Sequence, residues 1–82
     1  MRQKDLSRYF ALVLRQNRKS KGISQELLAE KADCDSTMIS LIERQIRNPT
    51  LNMSDSLAQG LGTSLSELIG QAEDLRQGER KK

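Results

Sequence analysis

The sequence predicts an all-α domain of five helices packed as one compact unit, and three observations predict it. Apolar residues recur at intervals of three to four along the chain, and the β-branched runs that strands need are missing. Residues suited to starting or stopping helices punctuate that pattern at the expected boundaries. The length of 82 residues allows one small domain and little else. A domain of this size buries only about 60–65% of its unfolded surface, so oligomerisation is the first source of extra stability to consider.

The first helix spans about residues 5–20, with Leu6, Phe10, Val13, Leu14 and Asn17 on one face; Gly22 ends it by accepting the left-handed conformation of a C-cap. Ser24 caps a second helix over about 25–32, whose inward residues are Leu27, Leu28 and Ala32. After the three-residue break Asp33-Cys34-Asp35, Asp35 caps a third helix over about 36–44, where Met38, Ile39 and Ile42 turn inward. The loop Gln45-Ile46-Arg47-Asn48-Pro49 follows, and Pro49 bars helix continuation. A fourth helix over about 51–61 buries Met53, Leu57, Ala58 and Leu61 and closes at Gly62. Ser64-Leu65-Ser66-Glu67 has the form of a capping box, so a fifth helix starts near Leu65 and reaches Gln77, with Gly70 its weak point. Residues 1–77 are expected to form the single domain and 78–82 a disordered basic tail. The core is aliphatic, since aromatics supply only 2% of the residues.

Histidine is absent and Cys34 is the sole cysteine. That excludes Ser-His-Asp and Cys-His nucleophile arrangements and zinc sites built from several His or Cys ligands. No intrachain disulfide can form, which suits a reducing cytosol. The longest apolar run, Phe10 to Leu14, is too short for a membrane span or a signal-peptide core. The expectation is a cytoplasmic non-enzyme with no metal, cofactor or catalytic residue, in which Glu73-Asp74 is simply a solvated helix face.

The net charge of +3 conceals a segregation: residues 1–22 carry +6, 23–43 carry −4, Arg44 and Arg47 add +2, 50–75 carry −4 and 76–82 carry +3. Two readings of the basic clusters stand side by side, a patch facing phosphates or an ordinary solvated surface.

Two short helices joined by a three-residue turn form a helix-turn-helix layout, which sets its second helix into the DNA major groove. At helical spacing the outward face of that helix holds Ser36, Thr37, Ser40, Leu41 and Arg44, small and polar in its first turn so that backbone can approach base edges. A core-packing helix would not choose these residues.

From Phe10 to Leu68 the chain resembles the Cro/C1-type helix-turn-helix family, the xenobiotic-response-element type that includes phage repressors and restriction–modification controller proteins. The resemblance rests on Phe10-Ala11, Leu14-Arg15, Arg18, Gly22-Ile23-Ser24-Gln25, Leu28-Ala29, Ile39-Ser40, Ile42-Glu43-Arg44, Arg47-Asn48-Pro49 and the stretch from Ala58 to Leu68. It implies a lambda-repressor-like five-helix domain acting as a homodimer on two-fold symmetric double-stranded DNA. It places Gln25, with Ser24 beside it, on a phosphate at a helix N-terminus, and Ser36, Thr37 and Ser40 where the family reads bases. Leu41 lies either against a thymine methyl or over the rim of the core. Arg44 and Arg47 suit phosphate or a narrow minor groove, Asn48 a phosphate or the loop itself, and Arg15 with Lys19 the DNA backbone or solvent. The family pairs the positions of Arg18 and Glu43 in a structural ion pair. It favours glycine where Asp33 and Gln45 stand and an aliphatic residue at Asn17, so a differently shaped loop and a looser first helix are expected. Cys34 is read as a buried hydrophobe.

These features lead to a sequence-specific transcriptional regulator whose recognition helices lie about 34 Å apart on a pseudo-palindrome. With Arg44 the only long donor on the recognition face, DNA shape carries a large share of the specificity. Leu65, Leu68, Ile69, Ala72 and Leu75 form a wider apolar stripe than one small core needs and are assigned to the dimer interface, with packing inside the monomer the competing reading for Leu65 and Leu68 more than for Ile69 and Leu75. The rival is a protein-interaction module such as an antitoxin, which uses the same fold and needs an extension to wrap its partner; only residues after about Gly70 offer one.

Overall fold

The computed structural model describes residues 6–80 and contains α1 (Leu6–Ser20), α2 (Gln25–Ala32), α3 (Ser36–Glu43), α4 (Leu51–Gly60) and α5 (Leu65–Arg80). The first four helices all end in the same Schellman geometry. At each end a residue at positive φ stands just past the helix: Gly22 (71°), Asp33 (57°), Gln45 (64°) and Gly62 (77°). The next amide then reaches back five residues: Ile23 to the Arg18 carbonyl, Cys34 to Ala29, Ile46 to Leu41 and Thr63 to Ala58. These bonds satisfy carbonyls that a helix C-terminus otherwise leaves open.

Gln45 therefore keeps the left-handed turn expected to change in the absence of glycine. A side chain there carries a cost of roughly 1–2 kcal/mol. Gln45→Gly is accordingly expected to stabilise the protein by about 0.5–1 kcal/mol, after glycine's own entropy is subtracted, raising Tm by several degrees in a thermal melt.

The helix starts are less uniform. Ser24 Oγ accepts from the Leu27 amide at 3.0 Å, and Thr50 Oγ1 accepts from Met53 at 3.0 Å. Asp35 holds the N-cap position of α3, but its side chain makes no capping bond. Of the capping box only one arm forms: Ser64 Oγ accepts from the Glu67 amide, while the Glu67 carboxylate accepts from Thr63 Oγ1 at 2.6 Å instead.

Leu14, Leu28, Ile39, Ile42, Leu57 and Leu68 form the buried centre, with Phe10 and Tyr9 beside them. Leu27, expected inside, is 39% exposed. The buried stripe of α2 runs through Leu28, Ala29 and Ala32, and one residue back from Leu28 is about 100° around the helix. Cys34 is half-buried against the core rather than enclosed, and burial pushes its thiol above the ordinary range, with Asp35 and Asp33 adding to the shift.

Asn17 tightens the docking of α1 instead of loosening it. Its Nδ2 donates to the Val13 carbonyl at 2.8 Å and to Gln71 Oε1 on α5 at 2.9 Å. Near the other end of α1, Tyr9 Oη donates to Glu79 Oε1 at 2.6 Å, so α1 and α5 run antiparallel along their length. That pairing explains why α5 continues through its expected weak point at Gly70 and past Gln77 and Gly78 to Arg80, where a disordered tail was expected from residue 78. Each glycine costs about 1 kcal/mol against alanine in a helix, which packing along α1 offsets. Lys81 and Lys82 of the expected tail, and Asp5 of the first helix, lie outside the described residues. Among those described, no helix is long and apolar enough to cross a membrane.

Candidate nucleic-acid interface

The position of α3 is set by one buried cluster of polar groups. Arg18 on α1 grips Glu43, the last residue of α3, through two bonds: Nε to Oε2 at 2.8 Å and Nη2 to Oε1 at 3.0 Å. Arg18 Nη1 also donates to the Ile23 carbonyl at 2.9 Å, fixing the turn before α2. Gln25 Nε2 then donates to Glu43 Oε1 at 3.0 Å, adding the first residue of α2. Both charged residues are buried, and the hydrogen bond to Glu43 raises Arg18 above its ordinary value against the opposing pull of desolvation. Such a network holds α2 and α3 at a fixed angle on α1. The ion pair expected between Arg18 and Glu43 is therefore present, and Gln25 has one N–H committed to it and one left over.

Beside this cluster, α3 shows the polar stripe. Thr37 and Arg44 are exposed, while Ser36, Ser40 and Leu41 are half-buried. Among the described residues the Thr37 hydroxyl has no partner in the chain, which leaves it free to donate and accept. Arg44 Nε donates to Ser40 Oγ at 3.2 Å, so these two act together at the C-terminal end of the stripe. Arg15, Ser24, Arg47 and Asn48 are exposed around it. A cleft of about 310 Å³ between α1, α2 and α3 gathers Arg15, Lys19, Gln25, Ser40 and Arg44 over the Arg18–Glu43 pair. Of the assigned residues, Arg15, Gln25, Ser40 and Arg44 meet in this cleft with Lys19, while Ser24, Ser36, Thr37, Leu41, Arg47 and Asn48 do not line it. Absent from the sequence assignment are Arg8 and Ile46, which share a second cleft with Arg47 and Asn48. Only the charge of the first 22 residues hinted at Arg8. Ile46 is 63% exposed, and nothing in the sequence distinguished it from a core residue.

The stripe assigned to the dimer interface divides in two. Leu68 and Ala72 are 0% exposed within the single chain, so their side chains have no surface to offer a partner. They occupy the middle of the stripe. At about 100° per residue, Leu65 and Ile69 fall on one shoulder of it and Leu75 on the other, and these three are half-buried. Ile69 opens onto an apolar groove with Leu6, Phe10 and Pro49, and Leu75 onto a cleft with Val13 and Gln71.

Comparison with known proteins agrees with this architecture. The helix-turn-helix family model matches residues 14–68. The control protein C.MunI of a Mycoplasma species is 39% identical over 70 residues, 84% of this chain and 95% of that protein. Among solved structures, the restriction–modification controller protein C.AhdI from Aeromonas hydrophila is 37% identical with a TM-score of 0.70, over 73% of this chain and 91% of its own. The wild-type restriction–modification controller protein C.Esp1396I is 34% identical with a TM-score of 0.74, over 82% and 90% of the two chains.

Proposed function

The chain belongs to the Cro/C1-type helix-turn-helix family of DNA-binding transcription regulators, and from that premise we propose that it is a sequence-specific regulator that binds a pseudo-palindromic operator as a homodimer. One observation carries the reading: the Arg18–Glu43–Gln25 cluster locks α3 in place with its polar face, including the unpartnered Thr37 hydroxyl, turned outward beside a basic cleft. Thr37 and Ser36 read base edges, Arg44 and Ser40 contact bases or the adjoining phosphates, and Gln25, Ser24 and Arg15 position the backbone. Leu65, Ile69 and Leu75 supply the contact between copies. Because the relatives are controller proteins of restriction–modification systems, the promoter of such a system is the first place to seek the operator.

Selection from a random DNA library at two salt concentrations tests this. An inverted repeat with half-sites about one helical turn apart is expected, with affinity falling steeply as salt rises. Thr37→Ala then relaxes the preference at one position in each half-site, at roughly 1–3 kcal/mol, while Arg44→Ala weakens binding further. If no sequence is enriched, the regulator reading fails and a protein partner is the next target.

A further inference from the structure

We propose that the cleft between the first turn of α1 and the loop after α3 seats a backbone phosphate of DNA, with Arg8 as its anchoring cation. This inference rests on the DNA-binding reading above. The cleft, about 270 Å³, is walled by Ser7, Arg8, Gln45, Ile46, Arg47 and Asn48 over a floor of Ile42. Among the described residues, two guanidinium groups, two carboxamides and a hydroxyl line it, and no carboxylate does. Among the described residues the ion pair is Arg18–Glu43, and neither Arg8 nor Arg47 is paired with a described carboxylate.

Both walls are held in place. The Arg8 guanidinium lies 5.3 Å from the ring centre of Tyr9, and Tyr9 is buried and bonded to Glu79. A cation over an aromatic face is oriented before any ligand arrives. Opposite it, the amides of Ile46 and Arg47 both donate to the Leu41 carbonyl, at 2.9 and 3.3 Å, which ties the loop to α3. The basic cleft at Ser40 and Arg44 lies on one side of the last turn of α3, and this one lies on the other, at Ile42 and Gln45. A helix in the major groove runs between two phosphate strands, so donors on both sides of it give each strand a contact.

The test is the salt dependence of binding by the full chain to the duplex enriched in the selection above, or to a mixed-sequence duplex. Arg8→Gln is expected to weaken binding several-fold on all sequences and to reduce the slope of log K against log salt by about 0.9, the loss of one phosphate contact. Lys31→Gln, an exposed charge on α2 away from both clefts, leaves the slope unchanged. A scan of neutral methylphosphonate linkages then identifies one linkage whose substitution weakens the wild type but not Arg8→Gln. Arg47→Gln, on the other wall, loses sensitivity to the same linkage, which covers the case in which Arg8→Gln folds poorly. A wild-type slope and linkage profile in both variants overturns the cleft alone. Absence of salt-dependent binding by the wild type overturns the DNA reading itself.

Discussion

Replacing Glu43 with alanine is expected to destabilise the protein by about 3–5 kcal/mol, because Arg18 stays buried with its charge unpaired. In a domain of this size that loss corresponds to a fall in Tm on the order of 15–30 °C. The Ile23 carbonyl still accepts from Arg18, but one bond to a carbonyl does not neutralise a guanidinium. Gln25 loses its anchor at the same time, so whatever fraction remains folded should also bind DNA less tightly. The double variant Arg18→Met, Glu43→Leu separates the charge from the packing. It is expected to recover most of the lost stability, since removing both partners leaves no buried charge, yet not the DNA affinity that depends on Gln25. Thermal melts of the three proteins check the first part and duplex titrations the second; equal melting points for the single variant and the wild type would refute it. On the arginine side the pair does not titrate in the usual working range. A cation raised above its ordinary value contributes fully below that value, and the contribution is lost only as pH rises past the far alkaline end of the scale.

Leu68→Ala should rank next, at about 2–5 kcal/mol, as an ordinary cavity in the centre of the monomer. Its effect is expected to be independent of protein concentration. Ile69→Ser and Leu75→Ser remove half-buried side chains on the two shoulders of the stripe. On the homodimer proposed above, the wild-type Tm is expected to rise with concentration, and these variants should lower Tm less but abolish that rise, which is the mark of a fold stabilised by a second copy. Melting each variant over a hundredfold concentration range distinguishes the two behaviours. A concentration dependence retained in both serine variants would place the contact between copies elsewhere, and the exposed Leu51 at the start of α4, 75% accessible, is then the next residue to change.

The sequence was most legible where a single local rule governs the outcome. Gly22 and Gly62 mark helix ends because positive φ suits glycine, and Ser24 marks a start because its oxygen reaches an amide three residues on. The polar face of α3 was equally plain, since an amphipathic helix that buries Ile39 and Ile42 must turn Thr37 and Arg44 outward. Gln45 was harder than Asp33: the resemblance pointed to a left-handed residue at both, and aspartate tolerates that region, whereas the glutamine side chain argues against it. The Glu67 carboxylate had two acceptable donors within reach, the amide of Ser64 and the hydroxyl of Thr63, and the second took it.

Periodicity and capping chemistry, both local, thus determined the number of helices, their approximate limits and the residues facing outward on α3. Burial depth, the path of α5 and the second basic cleft belong to the tertiary structure alone. A helical stripe states how wide an apolar face is, not which part a neighbouring helix covers, so the full burial of Ala72 and the half-burial of Leu65 emerged only once α5 lay against the rest of the chain. Glycines that weaken an isolated helix are tolerated once Asn17 and Tyr9 hold α5 to α1 from 54 and 70 residues away. Arg8 acquires its neighbours Arg47 and Asn48 in the same way, through contacts between segments some 40 residues apart that no local pattern encodes.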